Sequence, residues 1–579
     1  MSTSAVPSRR TRQSRWIFAP EPAHEVVAAL QAELRLPEVV CRLLAIRGHA
    51  DPDAARRFLR PRLEQLHEPA LYLDLDKAVD RIVGAIRRGE TILVHGDYDV
   101  DGICSTTLLT RALRGMGAHV VPFIPHRVTD GYDLGDAGVR AAIEHRASVA
   151  ITADCGTSAH GPITRLQESG VDVIVTDHHL PGGPLPPAFA VLNARRTDCE
   201  YPDKDLAAVG VAFKLALATA RAMGASENPI YGMLDLVALA TIADIAPLRG
   251  ENRVLARYGL KLLAETRNVG LRALIRAAGL EGKALTAGRV GYILAPRLNA
   301  VGRLGHALRG VELLLAETER EANVIARELE ELNRRRQDID RATLDEARRT
   351  VAALDLDETF GLVLAGDGWH PGVIGIVASR IVEEFGRPTI LIALDGEEGK
   401  GSGRSIGAFD LHAGIGACKD HLVRFGGHRA AAGLTIRRDE VSAFTECFAA
   451  VAKERLTVED LVPELRVDLA IALDDAGGDL EALFRHLEPC GVGNPSPVLA
   501  AHNVRLAGAP RVVGSTGLRL RLATTTGELG AIGWDMAHRA RELDMHTPID
   551  VAFRLERDEW NGESRLQAKL ADFRVSRGG

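Results

Sequence analysis

Four short segments of this 579-residue chain place acids and imidazoles directly after apolar runs. TILVHGDYDVDG carries His95, Asp97, Asp99 and Asp101 at every second position. SVAITADCGT ends its apolar run on Asp154, VDVIVTDHHLP on Asp177, His178 and His179, and LVALATIADIAPL on Asp244. Singly, each has a plain explanation. An Asp after a strand is often a helix cap, paired loop histidines are often solvated, and HGDYDVDG lacks the ligand spacing and closing Glu of an EF-hand. Together they make a different case. Carboxylates converging on one cleft repel each other and stay ionised only with cations among them. Oxygen ligands with one or two imidazoles and no thiolate suit Mn²⁺ or Mg²⁺ better than structural zinc. The set is large enough for two ions about 3.5–4 Å apart, which would lower the pKa of a bridging water and clamp both oxygens of a phosphoester displacement.

The elements that must hold these residues follow from the pattern of apolar runs. Thr91–Val94, His119–Ile124, Val149–Thr152, Val171–Thr176 and Ala190–Leu192 read as strands, with helical spacing between them over Ser105–Met116 and Pro162–Ser169. That alternation predicts a parallel α/β sheet, whose ligands bind at the carboxyl ends of its strands. The first three clusters, and with them Asp244, are therefore expected in one crevice. If the loop after Val94 stays extended, period two turns His95, Asp97, Asp99 and Asp101 to one side.

Outside this region, residues 1–70 read as a polar tail and short helices, with apolar helical spacing at Ala28–Leu34 and Val39–Ile46. The start, MSTSAVPSRRTRQSRW, has four arginines, no acid and no apolar core. It is not a secretory signal and reads as a frayed end. The α/β domain bearing the acid clusters is placed at 71–309. Residues 310–357 hold a long, charged, Gly- and Pro-poor helical stretch, either a coiled-coil partner or a rigid connector. A second α/β unit at 358–460 has strands at Leu362–Ala365 and Thr389–Leu394 and glycine-rich runs at 399–407 and 426–433. Residues 461–579 change to period-two segments at Val504–Leu506, Arg519–Thr524 and Val551–Leu555, with an Asn-Gly hairpin signal at 560–563. This predicts an antiparallel β-barrel.

Composition narrows the function classes. The net charge of −7 excludes a globally basic nucleic-acid binder but leaves room for a local basic groove. Aromatic residues make up only 4%, so contacts to a strand should rely more on charge than on stacking. No apolar run is long enough to span a membrane. Seven dispersed cysteines point to a reducing cytoplasm and away from a disulfide framework.

With these residues in view, the four acid-bearing segments resemble the motifs of the DHH phosphoesterase superfamily, and GGHRAAAG at 426–433 is similar to its DHHA1 partner domain. PHRVTDGYDLG at 125–135, APRLNAVGRLGHA at 295–307, WHPGVIGIVASR at 369–380 and EPCGVGNPSPVL at 488–499 resemble, more narrowly, the RecJ family of single-strand-specific 5′→3′ exonucleases. The likeness covers roughly residues 50–575. It implies an α/β fold of two lobes, DHH and DHHA1, joined by a long helix and followed by an OB-fold. It also implies roles. Asp99, Asp101, Asp154, His178 and Asp244 match metal ligands for two Mn²⁺ or Mg²⁺ ions, His95 matches a ligand or a group just behind one, and Asp97 shares their motif. Asp177 would orient its neighbours while His179 touches the scissile phosphate or a metal. Arg127, Arg303, Ser402 and Arg404 match phosphate-holding positions, His428 would line the cleft from the second lobe, and Asn299, His306 and Arg380 fall in the same motifs. Asp130 and Asp133 stand where the family more usually has Glu and Gly. An extra carboxylate at the cleft entrance would hinder phosphate approach or alter end preference.

The leading expectation is a two-metal exonuclease on single-stranded DNA in repair and recombination, with a single-strand-binding protein and a RecQ-type helicase as natural companions. Two alternatives stay open. One is a DHH hydrolase of short oligoribonucleotides or cyclic dinucleotides, against which the length and the β domain argue. The other is a non-catalytic single-strand scaffold, which predicts eroded ligands that this sequence does not show.

Overall fold

The computed structural model describes residues 14–127, 129–560 and 563–576. The chain divides into two compact units. One comprises Pro22–Asn333 with Ala482–Ser496, the other the segment up to Glu21, Arg334–Glu481 and the chain from Pro497 on.

The first unit is built on a five-stranded parallel sheet. Its strands lie in the order His119–Phe123, Thr91–Gly96, Ala147–Ala153, Asp172–Thr176, Ala190–Leu192. The three central strands form because apolar, mostly β-branched runs are buried on both faces, as parallel strands covered by helices require. Ile92 and Val94 enter one apolar cluster and Leu93 the other, and Ile151 and Ala150 divide in the same way. The order reverses between Thr91–Gly96 and Ala147–Ala153. At such a switch point the crossovers leave on opposite faces and open a crevice beyond the strand ends. Ligand-bearing segments leave both of these strands. The apolar stretch before Asp244 is a buried helix, Leu234–Ala243, rather than a strand.

The charged stretch is two helices, Leu308–Leu315 and the 34-residue Glu319–Ala352. The second helix begins in one unit and ends in the other.

In the second unit Leu362–Asp367 and Thr389–Asp395 pair in parallel, and Glu398–Arg404, Ala431–Arg437 and Arg424–Gly427 extend the sheet antiparallel. The glycine-rich run at 399–407 is thus largely a central strand. Its alternate glycines admit neighbouring side chains: a Cβ at Gly399 would lie 2.6 Å from Ile392, and one at Gly401 2.6 Å from Leu434. Lys400, Ser402 and Arg404 therefore share the opposite face.

The C-terminal sheet has seven strands, antiparallel except where Leu469–Ala470 meets Leu499–Val504 and Glu528–Gly533 meets Glu563–Val575. The strands Ile549–Trp560 and Glu563–Val575 form the expected hairpin. The Asn561-Gly562 pair itself lies outside the described residues, as does the arginine-rich start up to residue 13.

Two expectations change. Part of the stretch read as a frayed tail is a strand: Arg15–Phe18 pairs in parallel with Glu464–Val467. Trp16 is buried there, its Nε1 donating to Asp572 Oδ2 at 2.8 Å while the Arg574 guanidinium lies 4.3 Å from its ring centre. Cys418 and Cys447 form a disulfide, with Cα atoms 6.0 Å apart, beside the apolar cluster around Phe444 and Phe448. Their separation of 29 residues carries no pattern that sequence reading could use. Among the described residues no helix is long and apolar enough to cross a membrane.

Trp16→Ala is expected to lower the unfolding free energy by about 3–5 kcal/mol through lost burial. Trp16→Phe keeps most of the burial and should lose less, mainly through the orphaned Asp572 oxygen. Urea unfolding of the two variants beside the parent checks the order.

Candidate metal centre

The residues after Val94 do not remain extended. His95 still belongs to the strand, Asp97 follows it, and a helix starts at Val100. Asp99 is its N-cap, with Oδ1 accepting from the N–H groups of Asp101 (2.9 Å) and Gly102 (3.2 Å). The turn is tight enough that a Cβ at Gly102 would sit 2.3 Å from the Asp97 carbonyl oxygen. Asp101 points across to a second helix, Ala208–Ala222, where its carboxylate accepts from the N–H groups of Ala208 (2.8 Å) and Val209 (2.9 Å). The expectation that period two aligns four side chains fails because the helix intervenes after Asp99.

Even so, the acids meet. Donor atoms of Asp97, Asp99 and Asp154 lie within 4.8 Å of one another, as do those of Asp101, His178 and Asp244, and those of Asp154, His178 and His179. Asp154 and His178 each belong to two of these groups, so the groups are contiguous. Asp154 follows its strand in a left-handed conformation, φ +69°, and Ile245 after Asp244 is at φ +60°. A β-branched residue there is a true outlier. Asp177 belongs to none of the groups. It accepts from the N–H groups of His178 (2.7 Å), His179 (3.1 Å) and Thr157 (3.1 Å), and from His179 Nδ1 at 2.7 Å.

His95 lies outside all three groups. Its ring is buried with Nδ1 3.6 Å from Cys155 Sγ, against Phe123 and over Gly138.

Burial and mutual repulsion set the protonation. Burial, then the charges of neighbouring acids, raises Asp97 and Asp154 well above the usual carboxylate range, Asp101 to about 7 and Asp244 to about 9. Burial lowers His178 to about 4, leaving a neutral imidazole. Burial also opposes charge on His179, but the hydrogen bond and charge of Asp177 prevail and raise it to about 9. Burial would raise Asp177, yet that same pairing holds it below its ordinary value.

These residues fit divalent cations. Asp97 Oδ1, Asp154 Oδ1 and His178 Nε2 are buried and without hydrogen-bond partners. His178 Nε2 approaches Asp154 Oδ1 to 3.2 Å and Asp244 Oδ2 to 3.7 Å, but without hydrogen-bond geometry. Lone pairs of separate residues aimed at one point are what a cation needs, and the donor set is hard oxygen with imidazole.

The groups open on a cavity of about 430 Å³ whose wall also carries Arg127, Asn299 and Arg303. Arg127 stacks on the Tyr98 ring with its Cζ 4.5 Å from the centroid, and Asn299 Oδ1 accepts from Val100 N–H at 3.2 Å, fixing the helix start. His306 is not in the wall; its Nδ1 accepts from Leu308 N–H at 3.2 Å. Asp133 is not in the wall either. Its carboxylate turns inward to Gly156 N–H at 2.7 Å, so the added charge does not stand at an entrance. Asp130 Oδ2 accepts from His126 N–H at 2.8 Å.

Four expected substrate residues belong to the second unit. Arg404 donates to Ser402 Oγ at 3.3 Å, Arg380 pairs with Asp340 at 3.1 Å, and His428 sits exposed between two strands.

Sequence reading passed over Tyr132, whose hydroxyl is 3.3 Å from His179 Nε2, and Asn193, which donates to Thr157 Oγ1 (3.0 Å) and the His179 carbonyl (2.8 Å). Tyr132 lay inside a quoted motif. Asn193 had no signal.

Comparison with known proteins places this geometry. Residues 91–241 match the model of the DHH family N-terminal domain, 358–454 the DHHA1 domain and 467–572 the RecJ OB domain. The first two matches define a DHH–DHHA1 protein. The chain is 36% identical over 558 residues to the single-stranded-DNA-specific exonuclease RecJ of Bacillus subtilis, covering 96% of this chain and 70% of that protein. It also superposes on crystal structures of Thermus thermophilus RecJ. The complex with Mn²⁺ gives a TM-score of 0.83 at 32% identity, covering 97% of this chain and 80% of that one. The complex with Mg²⁺ gives 0.78 at 30%, covering 97% and 79%. The chain belongs to the RecJ family.

In the ion-free protein the raised carboxylates bind protons that the unfolded chain has already released. Its stability should therefore fall as pH rises from about 4, the ordinary carboxylate range, through the folded values near 7 and 9. Adding Mn²⁺ at pH 7 should expel those protons and flatten the dependence. Thermal midpoints across pH with and without Mn²⁺, and calorimetry in two buffers of different ionisation enthalpy, check both.

Proposed function

We propose that the chain is a metal-dependent exonuclease that hydrolyses single-stranded DNA from its 5′ end. The observation that carries this reading is the cluster of buried, mutually repelling acids and partnerless donor atoms opening on an arginine-bearing cavity. Mn²⁺ or Mg²⁺ held there would supply the Lewis acidity that activates water and neutralises charge on the scissile phosphate. The protein's residues do the rest. Asp97, Asp99 and Asp154 would hold one position, and His178, Asp244 and Asp101 the other. Arg127 and Arg303 offer planar forks to phosphate oxygens. Asp177 fixes the His179 ring by Nδ1, so that His179 presents a proton at Nε2 to the cavity, where it can stabilise or protonate a phosphate-ester oxygen.

A long strand as substrate draws support from the C-terminal sheet. Across five strands, pairing sets Arg511 beside Arg519, Arg519 beside Ile532, Ile532 beside Lys569 and Lys569 beside Arg554. Like charges directly opposite destabilise a sheet, and among the described residues Arg511, Arg519 and Arg554 form no ion pair. Trp534, 56% exposed, lays its ring over Gly517 at the end of this ladder. Two cross-strand pairs of cations flanking Ile532, near an exposed indole, suit a sugar-phosphate backbone and a base. A dinucleotide hydrolase needs no such surface. The reading sets the protein in cytoplasmic DNA repair and recombination, where a single-strand-binding protein and a RecQ-type helicase would present its substrate.

The direct test compares 5′-phosphorylated single-stranded DNA with matched duplex and RNA, with Mn²⁺ or Mg²⁺. Loss of the single strand alone from its 5′ end is expected, and Asp154→Ala should reduce it at least a thousandfold, on the order of a lost electrostatic element of catalysis. Cleavage confined to very short or cyclic oligonucleotides would move the protein to the small-substrate class. Separately, Arg519→Ala should reduce the slope of log affinity against log salt by about 0.7. Trp534→Ala should weaken single-strand binding by about 1–3 kcal/mol, read by fluorescence anisotropy with Asp154→Ala as the background.

A further inference from the structure

We propose that Asp133 is a positioning residue that locks the metal-binding loop at Asp154 to the segment carrying Arg127 and Tyr132. The inference rests on reading Asp154 as a metal ligand. Two observations carry it. Asp133 adopts φ +72°, a conformation that a non-glycine residue takes at a cost. From that conformation its Oδ1 accepts two backbone N–H bonds, from Leu134 at 2.8 Å and from Gly156 at 2.7 Å.

The second bond reaches the loop that holds Asp154. The loop is itself strained at Asp154, φ +69°, while Gly156 takes φ +107°, which glycine adopts without penalty. Its neighbours are tied in other ways: the Cys155 carbonyl accepts from Thr152 Oγ1 at 2.7 Å, and Thr157 N–H donates to Asp177 at 3.1 Å. The Gly156 N–H is held by Asp133. Tyr132, the residue before Asp133, lines the cavity and meets His179, and Arg127 lines the same wall. One carboxylate thus couples the placement of a ligand to that of the phosphate-facing side chains. An outer partner of this kind acts on metal affinity by fixing ligand orientation.

The test uses the full chain with Asp133→Gly, Asp133→Asn and Asp154→Ala, reading Mn²⁺ affinity by electron paramagnetic resonance, and kcat and KM on a 5′-phosphorylated single strand. Gly relaxes the backbone but removes the acceptor. Asn tolerates the left-handed conformation and keeps an Oδ1 acceptor. Asp133→Gly is expected to weaken Mn²⁺ binding about tenfold and to raise KM, while Asp133→Asn restores both to within about threefold of the parent, the carbonyl still accepting both bonds. Parental Mn²⁺ affinity and KM in Asp133→Gly, even with a lowered thermal midpoint, would make Asp133 a structural tie only and overturn the proposal. Equal losses in the Asn and Gly variants would overturn it too. Parental Mn²⁺ affinity in Asp154→Ala would instead remove the ligand reading beneath it, a distinguishable result.

Discussion

The structure of the first unit is organised around one electrostatic constraint: several carboxylates are buried together with, among the described residues, no Lys or Arg paired to them and only His179 as a nearby cation. Asp97, Asp101 and Asp154 are each less than 5% exposed. Among the described residues no Lys or Arg comes within ion-pair distance of these three or of Asp244. An isolated buried charge is prohibitively unfavourable, so such a group either keeps a proton or finds a cation. The sheet and the helix bearing Asp244 draw their stability from apolar burial rather than from the acids. The sheet is held by continuous apolar strands, and Leu234–Ala243, the helix bearing Asp244, is buried on nearly every side. The repelling groups are fastened to rigid stems, each carrying one or two of them.

Fastening alone does not aim the side chains, and the local backbone shows how aiming is done. Asp99 spends one carboxylate oxygen on the helix start, and Asp101 uses both of its oxygens on a second helix start. Helix N-termini carry partial positive charge, so both contacts favour the ionised form without supplying a full counter-charge. Asp154 and Ile245 sit in left-handed conformations, a strain of about 1–3 kcal/mol each that only an over-determined surrounding sustains. On the Asp154 side, Asp177 and Asn193 tie the Thr157 and His179 loops together. Several of these acids are held by backbone hydrogen bonds.

How much of this could be read in advance differs by element, for physical reasons. The strands of the parallel sheet follow from apolar runs, most clearly the three central ones, because burial on both faces leaves an unmistakable composition. The four acid-bearing segments are legible for the same reason: they begin where those runs stop. The side-chain directions of Asp99 and Asp101 were not legible, since helix initiation at Val100 depends on contacts made later in the chain. The strand at Arg15–Phe18 escaped because its partner lies some 450 residues away and its composition is that of a tail. Glu398–Arg404 escaped because glycine argues for a turn, whereas here alternate glycines make room for Ile392 and Leu434. The Cys418–Cys447 bond is a product of packing around Phe448, and spacing alone does not contain it.

The cationic ladder on the C-terminal sheet obeys the converse logic. Arg511 stands directly opposite Arg519, and Lys569 opposite Arg554, on one face with Ile532 between the two pairs. They are exposed enough for water and counter-ions to temper their repulsion, so the sheet tolerates them. The acids of the first unit have no such relief, because their burial excludes screening. Monovalent salt therefore acts on the two places unequally. It competes directly with a polyanion on the exposed ladder, and it barely alters charges held out of solvent. A divalent ion has the opposite profile, being drawn to the buried acids by the partnerless donor atoms waiting there. Binding of the strand and chemistry on its phosphate thus answer to different ions, and each dependence follows from how deeply its charges are buried.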